Sequence, residues 1–225
     1  MLNLLEGNLL ITGGAGFMGS AFIRFILGKK DFKGKIFNLD CLTYAANLKN
    51  LSSVEDHPRY TFVKGDIKET DLLEEIHKKD KIDVIIHFAA ESHVDRSIHA
   101  PEIFVETNVF GTYHLLEFVR KHPSIHFHHI STDEVYGSLG ETGFFTENTP
   151  YAPNSPYSAS KASSDHFVLA YGKTYGISFT LSHACNNYGP YQFKEKFIPL
   201  MILNCLQEEP LPVYGEGRNI RDWLY

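Results

Sequence analysis

The 225-residue sequence has little cysteine: Cys41, Cys185 and Cys205 lie far apart, odd in number, with no C-x-x-C spacing. That excludes a disulfide-stapled scaffold, argues against a zinc site, and fits a reducing compartment. No apolar run approaches the ~20 residues of a membrane helix, so no membrane partner is expected. Met1 to Gly14 has no basic opening and no small-residue cleavage site, which excludes a secretory signal and leaves the cytoplasm as the default location. Positive charge is not in excess either: 21 Lys+Arg face 27 Asp+Glu, a net charge of −6. The short basic stretches, Lys29 to Lys35 and Lys78 to Lys81, read as solvated surface, so no nucleic-acid partner is expected. Repeats, low-complexity tracts and clear linkers are also missing. What is present is a hydrophobic fraction of 43%, enough for a packed core, which excludes a disordered chain.

Short apolar runs alternate with helical patterns. Strands are expected at Asn8 to Thr12, Lys35 to Leu39, Tyr60 to Val63, Asp83 to Phe88, Ile125 to Ser131 and Ile177 to Ser182. Helices are expected at Phe17 to Leu27, Asp71 to Lys79, Pro101 to Lys121, Tyr157 to Tyr175 and Glu195 to Glu208. Continuous apolar strands separated by helices predict a doubly wound α/β fold with a parallel sheet covered on both faces. Phe22, Phe25, Phe104, Phe110 and Phe118 fall at helical spacing and are expected in the core. Tyr136 to Pro156 is rich in Gly and Pro, and a loop of that length is often functional.

Thr12-Gly13-Gly14-Ala15-Gly16-Phe17-Met18-Gly19 follows the first strand and opens the first helix. Gly13, Gly16 and Gly19 have the spacing of a pyrophosphate-binding turn: one glycine for the bend, one for close approach of the phosphates, one for helix–strand packing. The helix N-terminus then offers free N–H groups to an anion. Asp40 ends the second strand 21 residues past Gly19, where an acid holds a ribose 2′-hydroxyl and favours NAD over NADP. Asp66 ends the third strand and is read either as an adenine contact or as a helix cap.

Tyr157 and Lys161 stand at i and i+4 on one helical face, after Ser155 as N-cap and Pro156 in the first turn. To act as a base near neutrality a tyrosine must come down by roughly 3 pH units, about 4 kcal/mol. A nearby ammonium and a nicotinamide cation supply that. With the glycine turn, Asp40, Asp66 and His87-Phe88-Ala89-Ala90, this pair resembles the extended short-chain dehydrogenase/reductases over nearly the whole chain.

Thr132-Asp133-Glu134 lies where the fifth strand ends, at the sheet edge where doubly wound folds bind ligands. Adjacent carboxyls there can split into a general acid and a general base. The run is similar to that of the NDP-glucose 4,6-dehydratases. So are Ala90 to Ser97, Glu106-Thr107-Asn108, Ser163 to His166, Asn186 to Pro190 and Ile220 to Trp223. The resemblance implies dTDP-glucose as substrate, NAD as resident cofactor and a homodimer through the two long helices. It implies Tyr157 as base at the 4-hydroxyl, Glu134 as base at C5, Asp133 as acid at the 6-hydroxyl and Thr132 as a hydrogen-bond partner of the 4-oxygen. It places NAD against Phe17, Met18, Asp40, Thr43, Asp66, Ile67, Ala89, Ala90, Thr107 and Asn187. The sugar nucleotide falls against Ser92, Asn186, Lys196, Phe197, Pro212, Tyr214 and Arg221. A 4-epimerase or decarboxylase of the same superfamily is the rival reading, opposed by Asp133-Glu134; a non-catalytic NAD-binding fragment is another.

Cys41 stands where the family usually has Lys, and Ala184-Cys185 precedes the Asn pair where a hydroxyl is usual. His126, His128 and His129 carry no carboxylate at ligand spacing, so no metal is expected. Ser163-Ser164-Asp165-His166 is not a hydrolase triad, because helical neighbours do not converge. The implied domains are 1–190 for the cofactor and catalytic residues and 191–225 for the start of a substrate lobe. The chain is accordingly expected to be truncated at its C-terminus, retaining NAD binding but needing further residues for full sugar-nucleotide affinity.

Overall fold

Six runs form one parallel sheet: β1 (Leu9–Thr12), β2 (Ile36–Asp40), β3 (Tyr60–Lys64), β4 (Val84–His87), β5 (His126–Thr132) and β6 (Ser178–Ala184). The structure is a computed structural model describing residues 4–140 and 142–225; Met1 to Asn3, from the N-terminal stretch, and Glu141, from the Tyr136 to Pro156 segment, lie outside it. The strand order is β3-β2-β1-β4-β5-β6, so the order reverses between β1 and β4. In register, Thr12 faces Leu39 on one side and His87 on the other. Strands β1, β2 and β4 are buried throughout, as continuous apolar strands covered on both faces must be. The edge strands β3 and β6 are partly open.

Period-two alternation divides the core. Leu10, Phe37, Leu39 and Ile85 point to one face, against Leu115, Phe118 and Val168 from the helices. Leu9, Ile11, Ile36 and Ile86 point to the other, against Ile23 and Ile26. The helices are α1 (Phe17–Leu27), α2 (Thr70–Asp80), α3 (Val94–His99), α4 (Pro101–Phe104), α5 (Gly111–Lys121), α6 (Pro156–Tyr175) and α7 (Phe197–Leu206). Among the described residues no helix is long and apolar enough to cross a membrane.

The long helix expected over Pro101 to Lys121 is α4 and α5 joined by a π-helical segment, Val105–Phe110. Its cause is visible at Asn108, whose carbonyl accepts from Thr112 Oγ1 at 2.6 Å and from Ser164 Oγ at 2.7 Å. Those bonds widen the turn, and π segments of this kind concentrate at functional sites. Helix α3 was not legible from periodicity because it is too short. Two aromatics expected in the core are exposed, Phe25 by 59% and Phe110 by 48%. Phe25 lies off the Ile23–Ile26–Leu27 stripe and carries Lys29 Nζ 4.3 Å above its ring. Phe110 ends the π segment on the outer surface; Phe104 and Phe118 are fully buried and Phe22 packs at the core margin.

Candidate active site

Local geometry builds the glycine turn. Gly13 has φ +69°, and a Cβ there would meet Ala89 N at 2.6 Å. A Cβ on Gly19 would lie 2.5 Å from Gly13 O, so Gly19 lets α1 close onto the turn. Gly14, which the spacing left without a role, is fixed too: a Cβ there would run into Asn38 of β2 and Ile23 of α1. Gly16 differs, since its Cβ would approach only Gly13 O, at 3.3 Å. Helix α1 opens at Gly16 with no side-chain cap, leaving its first N–H groups for a ligand.

At the end of β2, Asp40 is buried, and its carboxylate accepts from Ala15 N (2.9 Å) and Leu42 N (2.8 Å). Burial raises its pKa and those two bonds offset part of the rise. Asp66 is not the N-cap of α2, which is Glu69; it takes Lys68 N in a local turn instead. The 41–47 segment reaches across the cleft: Arg96 lies 3.8 Å over the Tyr44 ring and pairs with Glu195 at 2.8 Å, while Phe193 packs edge-on to Tyr44.

Strand β5 ends in Thr132, which caps a 3-10 turn, Asp133–Tyr136, by accepting Glu134 N. That turn holds both carboxyls at the sheet edge. Burial raises Asp133, with Thr132 and Arg221 pulling it back. Burial and the neighbouring Asp133 charge raise Glu134, opposed by Arg221 and Lys196. Helix α6 starts as expected, with Ser155 and Ser158 in a reciprocal capping box and Pro156 in the first turn. It brings Tyr157 and Lys161 to the same cleft.

Here the electrostatics differ from the expectation that Lys161 lowers Tyr157. Burial and the Glu134 charge hold the Tyr157 hydroxyl well above its ordinary value. Lys161 Nζ turns to Ile130 O (2.9 Å) and His129 Nε2 (3.4 Å), and burial lowers it to about 8. The chain alone does not make Tyr157 a base; a further positive charge must come from what binds there.

One cavity of ≈ 1000 Å³ joins these parts along the carboxyl ends of the strands, at the reversal of strand order. Its walls include Gly13, Gly16, Phe17, Met18, Gly19, Asp40, Thr43, Asp66, Ile67, Ala89, Ala90 and Thr107. They also include Thr132, Asp133, Glu134, Tyr157, Lys161, Asn186 and Asn187, and across from these Ser92, Lys196, Phe197, Pro212, Tyr214 and Arg221. Lys196 Nζ donates to Ser92 O at 2.7 Å, tying the post-β4 loop to the segment before α7. Asn186–Asn187 (β7) pairs in parallel with Trp223–Leu224 (β8). Cys185 and Ala184 line the cavity as well, and burial and the Asp133 charge raise the Cys185 thiol. Among the described residues, the loop between Tyr136 and Pro156 supplies no wall; Tyr136, Phe145 and Tyr151 pack into a small core of their own. His126 and His128 bond Ser178 and Thr180 at the sheet edge. Sequence reasoning missed Glu91, whose backbone is held by Asn108, and the buried cluster about Asp165. An uncapped helix start beside a close-approach glycine, and an acid with spare lone pairs at the next strand end, fit a dinucleotide.

Residues 10–225 match the family model described as GDP-mannose 4,6 dehydratase. The dTDP-glucose 4,6-dehydratase of Neisseria meningitidis serogroup B is 52% identical over 227 residues, covering 96% of this chain and 63% of that protein. The chain thus spans about 63% of the length of that relative. A Bacillus anthracis dTDP-glucose 4,6-dehydratase solved in complex with NAD superposes with a TM-score of 0.90 at 54% identity, over 97% of this chain and 67% of that one. A Streptomyces venezuelae dTDP-glucose 4,6-dehydratase with NAD and TYD bound gives a TM-score of 0.90 at 48% identity, over 96% and 67%. Sequence, strand order and fold thus agree, and the chain belongs to the family described as GDP-mannose 4,6 dehydratase.

Proposed function

We propose that this chain carries the NAD-dependent 4,6-dehydratase chemistry of a sugar nucleotide, dTDP-glucose, a hydro-lyase reaction. The observation that carries the reading is the meeting of Thr132, Asp133 and Glu134 with Tyr157 and Lys161 in the cavity that the glycine turn also lines. The two relatives solved with NAD support the cofactor. When bound, NAD supplies a hydride acceptor for C4 and a hydride donor for C6. Gly16 and the start of α1 take its pyrophosphate, and Asp40 its ribose. Tyr157 takes the proton of the 4-hydroxyl, in a step that the cofactor's positive charge and Lys161 favour. The resulting ketone acidifies the C5 proton, which Glu134 removes; burial and Asp133 raise that carboxyl, which suits a base, while Arg221 and Lys196 oppose the rise. Asp133 protonates the departing 6-hydroxyl, and Thr132 hydrogen-bonds the 4-oxygen. Lys196 and Arg221 also suit a diphosphate as cations.

We read residues 1–190 as the cofactor and catalytic domain and 191–225 as part of the substrate lobe. Exposed apolar residues on neighbouring helical segments, Phe110 and Tyr113 from the π segment and α5 and Phe167 and Leu169 from α6, support a homodimer. The three unpaired cysteines support a cytoplasmic location. The test is incubation with NAD and dTDP-glucose in D₂O, read by NMR. The expected result is a 4-keto-6-deoxy product; no turnover of any NDP-hexose overturns the reading. Exchange at C5 that persists in Glu134→Gln would favour the epimerase or decarboxylase rival.

A further inference from the structure

A buried polar cluster lies directly behind Lys161. Asp165, one helical turn further along α6, is wholly buried. Its Oδ2 accepts from Ser131 Oγ at 2.8 Å, Tyr151 Oη at 3.1 Å and His183 Nε2 at 3.2 Å. Its Oδ1 lies 3.3 Å from His129 Nε2, the same nitrogen that approaches Lys161 Nζ at 3.4 Å. His183 sits between two tyrosines, with Tyr136 Oη 3.1 Å from its Nδ1 and Tyr151 Oη 2.9 Å from its Nε2. The groups at this carboxylate come from β5, β6 and the long loop, and Tyr136 of the 3-10 turn joins through His183.

An isolated carboxylate at this depth would be very costly. Three donors on Oδ2, with Oδ1 set against the His129 ring, keep a negative charge fixed beside an equally buried ammonium. We propose that Asp165 is a positioning residue, the buried counter-ion that keeps the Lys161 side chain charged and held at the cleft, with the His129 ring packed beside both. The proposal rests on the functional reading above only in what Lys161 then does.

The groups facing this pair support it. Burial would raise Asp165, but hydrogen bonds from His129 and His183 outweigh it and hold the carboxyl well below the usual range. On β5, burial and the Lys161 charge lower His129 to about 4, so it is a neutral ring whose Nε2 serves Asp165 or Lys161 but not both. On β4, His87 is also buried and neutral, its ring 5.3 Å from His129. Tyr136 and Tyr151 on the loop side, and Tyr157 on α6, are all raised chiefly by burial and remain neutral hydroxyls. Asp133 and Glu134 lie at the far end of β5 and the 3-10 turn. Among the groups that bond His129 or Lys161, Asp165 is the ionised acid.

Heteronuclear NMR of lysine-labelled protein, with Lys161 assigned through Lys161→Met, tests this without sugar nucleotide. The parent midpoint is expected near 8. Asp165→Asn should lower it by about one pH unit or more, and Asp165→Glu should restore it. In turnover, the alkaline limb of the pH–rate profile should move down in Asp165→Asn, since the protonated lysine is lost earlier. An unchanged midpoint in an Asp165→Asn protein that keeps its near-UV circular dichroism overturns the proposal. Should that variant not fold, the parent alone decides: a buried ammonium without a counter-ion titrates at about 5–6, and a parent midpoint below neutrality overturns it too. A parent chain that binds no NAD would instead sink the functional reading and leave the titration result standing.

Discussion

The glycines of the first turn are expected to separate under the same small perturbation, one added methyl. In Gly13→Ala the new Cβ meets backbone on the neighbouring strand end, 2.6 Å from Ala89 N and 2.7 Å from Ala89 Cα, and φ stays at +69°. The left-handed conformation costs an alanine about 1 kcal/mol, and crowding against backbone adds about 1–3 kcal/mol. A loss of about 2–4 kcal/mol corresponds, for a chain of this size, to a fall in Tm of roughly 5–15 °C. Gly16→Ala meets only Gly13 O at 3.3 Å, so its stability should change by under about 1 kcal/mol. Its methyl would instead occupy the space the pyrophosphate needs, and NAD affinity should fall at least about tenfold. Gly140→Ala, with nothing within 4 Å, is the control and should be neutral or slightly stabilising. Thermal unfolding by circular dichroism and NAD titration by calorimetry read both quantities on each variant. Equal Tm values for Gly13→Ala and Gly140→Ala would refute the packing argument. Parent-like NAD affinity in Gly16→Ala would refute the placement of the pyrophosphate.

Four further outcomes follow from the same geometry. Tyr157→Phe should lower kcat by about 10²–10⁴ with NAD affinity little changed, measured by product formation and calorimetry. Ser155→Ala removes the Oγ that accepts from Ser158 N, leaves the reciprocal bond from Ser155 N to Ser158 Oγ, and should cost about 1 kcal/mol, a Tm loss of about 2–4 °C. Arg96→Ala cuts the Tyr44–Arg96–Glu195 strap; these groups are partly exposed, so stability should change by under about 1 kcal/mol, while NAD dissociation, followed by stopped flow, speeds up. Lys161 is lowered in the folded chain to about 8 from 10.5, so the unfolded state binds more protons between those values and stability should rise with pH across them. Urea unfolding checks this, and Lys161→Met should remove the rise; Asp165, held low, contributes stability that is lost as pH falls below about 4.

What could be read from the sequence was local. Phe17–Leu27 carried its own periodicity, and Ser155-Pro156 its own cap, so both helix starts stand where expected. Thr132, Asp133 and Glu134 were placed because a strand end is a local feature. What failed needed a neighbour from elsewhere in the chain. Gly14 is constrained by Asn38, on the next strand. The π segment depends on Ser164 reaching Asn108 across 56 positions. In the quartet Ser163 to His166, read as non-convergent, His166 is exposed. Asp165 nevertheless gathers partners from β5, β6 and the loop, which no spacing rule lists. Nor was the direction of the Tyr157 shift legible, because it turns on where Lys161 points.

The central proposal is that one cleft oxidises, dehydrates and reduces the same sugar. The most direct measurement is incubation of the chain and NAD with dTDP-glucose deuterated at C4, followed by NMR of the product. Hydride held within the site and returned predicts a 4-keto-6-deoxy sugar with the deuterium at C6. A C4-epimerised sugar that keeps its 6-hydroxyl, or recovery of only unchanged dTDP-glucose, would contradict it.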